Sequence, residues 1–300
     1  MKIAHWKKTP IAMAPDAIVE CINKYTDHKS VLYNNTNNFE KDIDVIHFHN
    51  QFVPNNHKSI IQYHSPPNYV NHNFPGTKLV IAQYHTLLPE YYDCGVVRNV
   101  IDFLGKDNIY QKGTNRWGDK DNTIRIVYSP SRTTNTDKWH DKGYTETVPI
   151  LKRISERFKN VEIDIIGNPP IPHKDCLQRK TQADIVIDEC KTNSYHRSGL
   201  EGLAMGKLTI CSLDEDVSKL LKIVSESDII PFHNIWIDNL EDFLNKTIKK
   251  GREYIIEEGK KSREWMEKYW HPQDITNEFI DIYKNISKEK PKNKKHFQSI

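Results

Sequence analysis

Between Asn193 and Lys207 the chain reads NSYHRSGLEGLAMGK, a stretch that gathers side chains able to handle a charged, hydroxyl-rich ligand. Ser198-Gly199-Leu200-Glu201 is S-x-x-E ahead of an apolar run, in form a capping box. Ser198 would accept from the Glu201 amide and Glu201 would reach back to Ser198. Leu200, Leu203 and Ala204 would then face a core, and Gly206 would close the helix. On this reading Glu201 is a cap. A second reading makes it a ligand group. The helix begins just past ADIVIDE, the carboxyl end of a strand, where α/β sheets place their ligands. First-turn N–H groups of Gly199 and Leu200 suit a phosphate. A carboxylate beside that cradle suits the paired hydroxyls of a ribose. Tyr195 and Arg197 add a planar surface and a charge.

Fourteen histidines raise the question of a metal. His47 and His49 alternate on one face of a strand, and His64 and His85 end two others. Ligands two apart on a strand can share an ion. No cysteine or carboxylate partner stands at fixed spacing, however, and polar residues gather at strand ends in any α/β sheet, so no metal is expected. Asp42-Ile43-Asp44 precedes a strand and Asp214-Glu215-Asp216 opens a helix, where acids suit the dipole; both read as solvated. The five cysteines (Cys21, Cys94, Cys176, Cys190, Cys211) are scattered, odd in number and never C-x-x-C, which argues against disulfides and a cysteine zinc site.

The elements that must position these groups follow from the apolar pattern. Short β-branched runs occur at 2–6, 30–33, 44–49, 59–64, 78–85 and 96–103. A second set lies at 123–131, 161–167, 183–189, 208–213 and 228–235. Several are apolar on consecutive positions, as in strands covered on both faces. Amphipathic segments such as 15–25 and 145–158 lie between them. Strand alternating with helix predicts parallel, doubly wound sheets. The polar, glycine-bearing stretch 106–122 interrupts the pattern and divides it into two α/β domains. After residue 250 the pattern is purely helical, broken at His271-Pro272-Gln273.

Composition closes off several function classes. Basic and acidic residues number 43 and 40, a net charge of +3, so total charge does not advertise a nucleic-acid partner. Only the tail SKEKPKNKKHFQSI is strongly basic, and it is expected to be mobile. No apolar run reaches the roughly 18 residues of a membrane span, and the N-terminus lacks a signal peptide's apolar segment, so a cytoplasmic protein is expected. Dinucleotide, P-loop, nucleophile-elbow and zincin motifs are all missing.

The motif around Glu201 resembles that of GT-B glycosyltransferases of the family 4 type. Their signature is Glu, seven residues, Glu, within E-G-F-G-L-P-x-L-E-A-M-A-x-G-x-P-V. Glu201 falls on the second glutamate, and Leu200, Ala204, Met205 and Gly206 also match. IRIVYSPSRTTNTDKWHDKG (124–143) is similar to the first strand of the family's nucleotide domain with its following Arg and Lys-Gly. VVRNVIDF is similar to the N-x-x-D turn that closes the first domain. REWMEKYWHPQDITNEFIDIY is similar to the family's crossover helices. The likeness covers residues 124 to 287; the first domain matches only in style.

The resemblance implies a GT-B-like α/β fold, two Rossmann-like domains facing a cleft, with C-terminal crossover helices. The expected domains are 1–118 on the acceptor side, completed by a helix at 273–287, and 119–272 for the nucleotide-sugar, followed by the tail 288–300. Glu201 would hold the ribose, and Arg132 and Lys142 would clamp the donor diphosphate. Lys142 could equally be an ordinary exposed lysine. Asn193, Tyr195, His196, Arg197, Ser198, Gly199 and Leu200 are the expected donor-binding residues. Asn193 stands where the family has its first glutamate, and an amide can bond a hydroxyl but cannot stabilise developing positive charge. His64, followed by Ser65-Pro66-Pro67, is the candidate for touching the reacting sugar or acceptor, a core histidine being the alternative.

The implied activity is transfer of a sugar from a nucleotide diphosphate, retaining and metal-independent, with no cofactor beyond the nucleotide-sugar substrate. The acceptor is open: a saccharide, a small molecule or a modified nucleic-acid base. A nucleotide-sugar epimerase or hydrolase of the same fold and a non-catalytic nucleotide-sugar-binding module are the alternatives.

Overall fold

The computed structural model describes residues 1–8, 11, 13–36, 38–105, 108–130, 133, 141–167 and 169–288. The chain divides into two compact units. The first comprises Met1–Ile81, Asp93–Val96 and Gln273–Ile300; the second comprises Ala82–Tyr92 and Val97–Pro272.

The first unit is built on β1 (Lys2–Lys7), β2 (Lys29–Asn34), β3 (Val45–His49), β4 (Lys58–Tyr63), β5 (Thr77–Ile81) and β6 (Gly95–Val97), in the order β2-β1-β3-β4-β5-β6. The neighbours from β2 through β5 pair in parallel. Every residue of β3 is buried, which explains its unbroken apolar-aromatic character. Helix α1 (Ala14–Tyr25) buries Ala17, Ile18, Cys21 and Ile22, a one-sided spacing. The C-terminal helix α9 (Pro272–Lys288) buries Ile275, Phe279, Ile280 and Tyr283. Pro272 stands in its first turn, where a fixed φ and a missing N–H cost nothing. Of the expected strand 96–103, only its first two residues pair, within β6.

The second unit holds β7 (Ile124–Tyr128), β8 (Val161–Ile165), β9 (Ile185–Glu189), β10 (Leu208–Cys211) and β11 (His233–Asn234), in the order β11-β10-β9-β7-β8, all parallel. Its helices are α2 (Ile109–Gly113), α3 (Tyr144–Arg157), α4 (His173–Thr181), α5 (Arg197–Ala204), α6 (Glu215–Ser225), α7 (Ile237–Lys249) and α8 (Arg252–Tyr269). Ile126, Tyr128, Ile185, Ile187, Leu208 and Ile210 form the sheet side of its core, and Leu151, Ile154, Leu240 and Leu244 pack onto it from α3 and α7. The boundary expected at 118/119 falls inside this unit. The polar stretch before β7 is fastened there by buried contacts: Arg116 donates to Asp184 at 3.0 Å, and Lys207 Nζ donates to the Gly113 carbonyl at 2.7 Å. Charge pairing, which carries no apolar period, holds it. The basic tail, 289–300, lies outside the described residues.

Among the described residues no helix is long and apolar enough to cross a membrane.

Candidate functional site

In the second unit the chain leaves β7, crosses α3 to β8 on one side, and returns through α4 to β9 on the other. The carboxyl ends of β7 and β9 therefore flank a topological switch point, the position where open α/β sheets bind ligands. Ser129 follows β7, Lys142 precedes α3, and residues 190–196 follow β9. Ser129 Oγ and Ser198 Oγ meet at 3.2 Å, tying the end of β7 to the first turn of α5.

The capping box is not formed. Helix α5 starts at Arg197, its N-cap is His196, and no side chain caps it. Asp188, from the end of β9, accepts the His196 N–H at 2.6 Å. That bond fixes the entry of the helix two residues earlier than the S-x-x-E pattern suggests. The amides of Gly199 and Leu200, expected to be free for a phosphate, both donate to the His196 carbonyl at 3.1 and 3.2 Å. The first-turn amides left outside the helical ladder are those of Arg197 and Ser198. Gly199 is needed for close approach: a Cβ there would lie 2.8 Å from Asp188 Oδ2.

Glu201 is buried and is the hub of two cations and a histidine. Oε2 accepts from Lys180 Nζ at 2.8 Å; Oε1 lies 2.7 Å from His173 Nε2 and 3.2 Å from Arg197 Nε. Lys180 also donates to Ser198 Oγ at 2.8 Å. The two side chains of the inner pair are 1% and 2% exposed, so this is a fully desolvated ion pair. Burial alone would raise the Glu201 pKa, but Lys180, the His173 bond and Arg197 outweigh it and hold the carboxyl far below the usual range. Only His173 among the partners faces water substantially. A ligand hydroxyl reaching Glu201 would therefore take the place of His173.

Lys142 is 7% exposed, and its Nζ has no hydrogen-bond partner among the described residues. Burial pushes its ammonium pKa down, with Glu189 and Asp188 opposing. A buried, unbonded ammonium is costly unless something compensates it. The loop after β9 repeats the situation with other groups. Thr192 Oγ1, Asn193 Oδ1 and His196 Nδ1 are buried and also unpartnered among the described residues. His196 Nδ1 is 3.5 Å from Asp188 Oδ2, too far for a good hydrogen bond. Asn193 adopts φ 65°, a left-handed conformation that asparagine tolerates better than most residues. These four polar atoms lack a hydrogen bond among the described residues, His196 Nδ1 having only the longer Asp188 contact.

The remaining expected residues divide. Tyr195 is in the core: its hydroxyl donates to the Ala82 carbonyl and its ring stacks on Phe232 at 5.7 Å, so it offers no planar surface to a ligand. Leu200 is fully buried. Arg197 is half-buried between Glu201 and the Val100 carbonyl. Arg132 lies outside the described residues. His64 belongs to the first unit, at the end of β4, with Nε2 2.9 Å from His49 Nδ1. His49 Nε2 in turn lies 3.0 Å from His5 Nδ1, and His47 Nδ1 lies 2.8 Å from the Tyr283 hydroxyl. Burial pushes the His5 imidazole down to about 3, and holds His47 and His49 well below their usual value.

Sequence reasoning missed Asp188, His173 and Lys180. Asp188 carried a usable signal, an acid ending an apolar strand at the ligand-bearing edge. Lys180 and His173 carried none, since they reach Glu201 only through side-chain bonds from α4, 21 and 28 residues upstream.

No family model and no curated protein matches the chain. Solved structures do. A glycosyltransferase from Rickettsia africae ESF-5 is 13% identical with a TM-score of 0.57, over 96% of this chain and 99% of the other. Sucrose-phosphate synthase from Thermosynechococcus elongatus is 9% identical with a TM-score of 0.60, over 95% and 98% of the two chains. The chain has the GT-B glycosyltransferase fold. Anabaena HepE, solved with UDP and glucose, shares this fold at 11% identity and a TM-score of 0.55, over 95% of this chain and all of its own.

Proposed function

We propose that this GT-B chain moves a sugar from a nucleotide-diphosphate donor to an acceptor, with the donor held at the β7/β9 switch point. The observation that carries the reading is Lys142: a buried ammonium without a partner, beside an N-terminal helical turn and three unpartnered polar atoms. A diphosphate supplies what that ammonium lacks. The amides of Arg197 and Ser198 face the same end of the sheet and suit a second phosphate oxygen. Arg132, between β7 and Lys142 in the chain, is the further cation of the proposed clamp. Glu201 takes the ribose hydroxyls in exchange for His173. Asn193 Oδ1 and His196 Nδ1 bond the hydroxyls of the donor sugar. His64 serves the acceptor side.

In this reading the developing charge on the leaving diphosphate is met by Lys142, Arg132 and helix amides, the work a metal does in other transferases. Transfer proceeds with retention and without a dedicated protein base. UDP-sugars are the first donors to try, because HepE of the same fold was solved with UDP-glucose. Asn193, an amide where the family 4 signature has its first glutamate, favours one competing reading, a module that binds the donor without turnover. Donor-nucleotide release, followed with and without a pool of sugar acceptors, separates the cases. Release that requires an acceptor supports transfer. Release or sugar rearrangement without one supports hydrolysis or epimerisation, and binding with no release supports the module.

A further inference from the structure

The first unit contains a second chemically distinct cluster, well removed in kind from the cation-rich donor site. His5 on β1 is the register partner of His47 on β3, and His49 lies two residues further along the same face of β3. The three ring centroids lie within 4.3 to 5.3 Å of one another, His49 stacked on both His5 and His47 and those two tilted. All three are essentially fully buried. One ring nitrogen from each can be chosen so that all lie within 4.8 Å of one another.

We propose that His5, His47 and His49 bind a divalent transition-metal ion, zinc by ligand preference, between β1 and β3. Three observations support this. First, His47 Nε2 is buried and has no hydrogen-bond partner among the described residues. An imidazole nitrogen in that condition is unusual, since buried polar atoms are nearly always satisfied. Second, the other nitrogen of His47 is held by the Tyr283 hydroxyl at 2.8 Å, and the other nitrogen of His49 meets His64 at 2.9 Å. Outer partners of this kind fix the tautomer and ring orientation of metal-bound histidines. Third, His5 Nδ1 and His49 Nε2 face each other at 3.0 Å. Two neutral imidazoles do so with one proton between them; when that proton shifts to the same ring's other nitrogen, toward His64 from His49 or toward Tyr283 from His5, both facing nitrogens present lone pairs to an ion.

The donor set selects the ion class. Three imidazoles with no thiolate and no carboxylate suit zinc, copper or nickel rather than calcium or magnesium. Three histidines with a fourth position open is the ligand count of zinc centres that keep an exchangeable site. Metal–nitrogen bonds of about 2.0–2.1 Å put ligand nitrogens roughly 3.4 Å apart, so the His5–His49 pair, 3.0 Å apart, opens slightly as the ion enters. His64, half-buried at the outer end of the cluster, is the entry side. This inference does not depend on the glycosyl-transfer reading, and the ion takes no part in the diphosphate site.

The test uses the full chain without an affinity tag, stripped with chelator and then given one equivalent of zinc. Elemental analysis after desalting is expected to find about one zinc per chain. His47→Gln is expected to bind at least tenfold more weakly, whereas His72→Gln, outside the cluster, keeps full affinity. Cobalt on the wild-type chain gives the intense visible bands of a tetrahedral site, bleached by zinc. Retention of less than about a tenth of an equivalent by the wild type, at odds with the expected tight site, overturns the proposal. So does unchanged affinity in His47→Gln. Should His47→Gln fail to fold, the cobalt spectrum decides, and the weak bands of the hexaaqua ion refute the site.

Discussion

The Lys180–Glu201 pair offers a sharp test of the site's electrostatics. Glu201 answers Lys180, Arg197 and His173, so removing it strands one fully buried and one half-buried cation. Removing Lys180 leaves Glu201 still bonded to the other two. Breaking a buried pair from one side costs about 3–5 kcal/mol, whereas replacing both partners by apolar residues is often nearly neutral. Glu201→Leu is therefore expected at the top of that range and Lys180→Met near the bottom. For a unit of this size such losses lower Tm on the order of 10 °C. The double variant should recover at least about 2 kcal/mol relative to the sum of the singles. Urea unfolding followed by tryptophan fluorescence and circular dichroism measures all four corners of the cycle. Additive singles, or a Lys180→Met loss larger than that of Glu201→Leu, would refute the hub arrangement.

Three further outcomes follow from the same packing. Burial pushes the Lys207 ammonium down to about 7, with Asp184 opposing, while an unfolded lysine titrates near ~10.4. Between those values the unfolded chain binds the extra proton, so stability rises with pH, by about 2 kcal/mol from pH 7 to pH 9. Lys207→Met removes that gain, and a flat difference between wild type and variant across the window counts against it. Gly206 sits at φ 66° with Trp117 Cζ2 2.3 Å from where a Cβ would stand, so Gly206→Ala should cost at least ~2 kcal/mol in thermal unfolding. Asn193→Gly, which keeps the left-handed backbone, should weaken donor turnover or donor affinity while leaving Tm within about 1 °C, since the asparagine side-chain oxygen bonds nothing in the described protein.

Parallel sheets and most strand runs were readable because period and length report them directly, whereas the place of the division was not, since the stretch 106–122 joins the second unit through the Arg116–Asp184 pair. Glu201 stood out as a candidate because its neighbours Leu200, Ala204, Met205 and Gly206 repeat a known pattern. Its environment was not. S-x-x-E reads as a local capping box, yet Asp188 anchors the helix entry instead, and the partners of Glu201 come from 21 and 28 residues upstream as well as from Arg197. Tyr195 looked like ligand surface because aromatic type does not report burial. Lys142 could be an exposed lysine or a buried one by sequence, and only packing decides. His47 and His49 were visible as an alternating pair, but His5 and Tyr283 join them across 42 to 236 positions.

The central claim is that the switch point beside Lys142 is a nucleotide-sugar site, and ligand-induced stabilisation tests it most directly. A donor at 100 times its dissociation constant adds about 2.7 kcal/mol to the folded state. Thermal unfolding of the wild-type chain against a panel led by UDP-glucose should show one nucleotide-sugar raising Tm by several degrees, as that increment implies. Lys142→Met, folded and of equal or greater intrinsic stability, should lose most of the shift. A panel in which no nucleotide-sugar moves the midpoint, or a Lys142→Met chain that keeps the whole shift, would contradict the account.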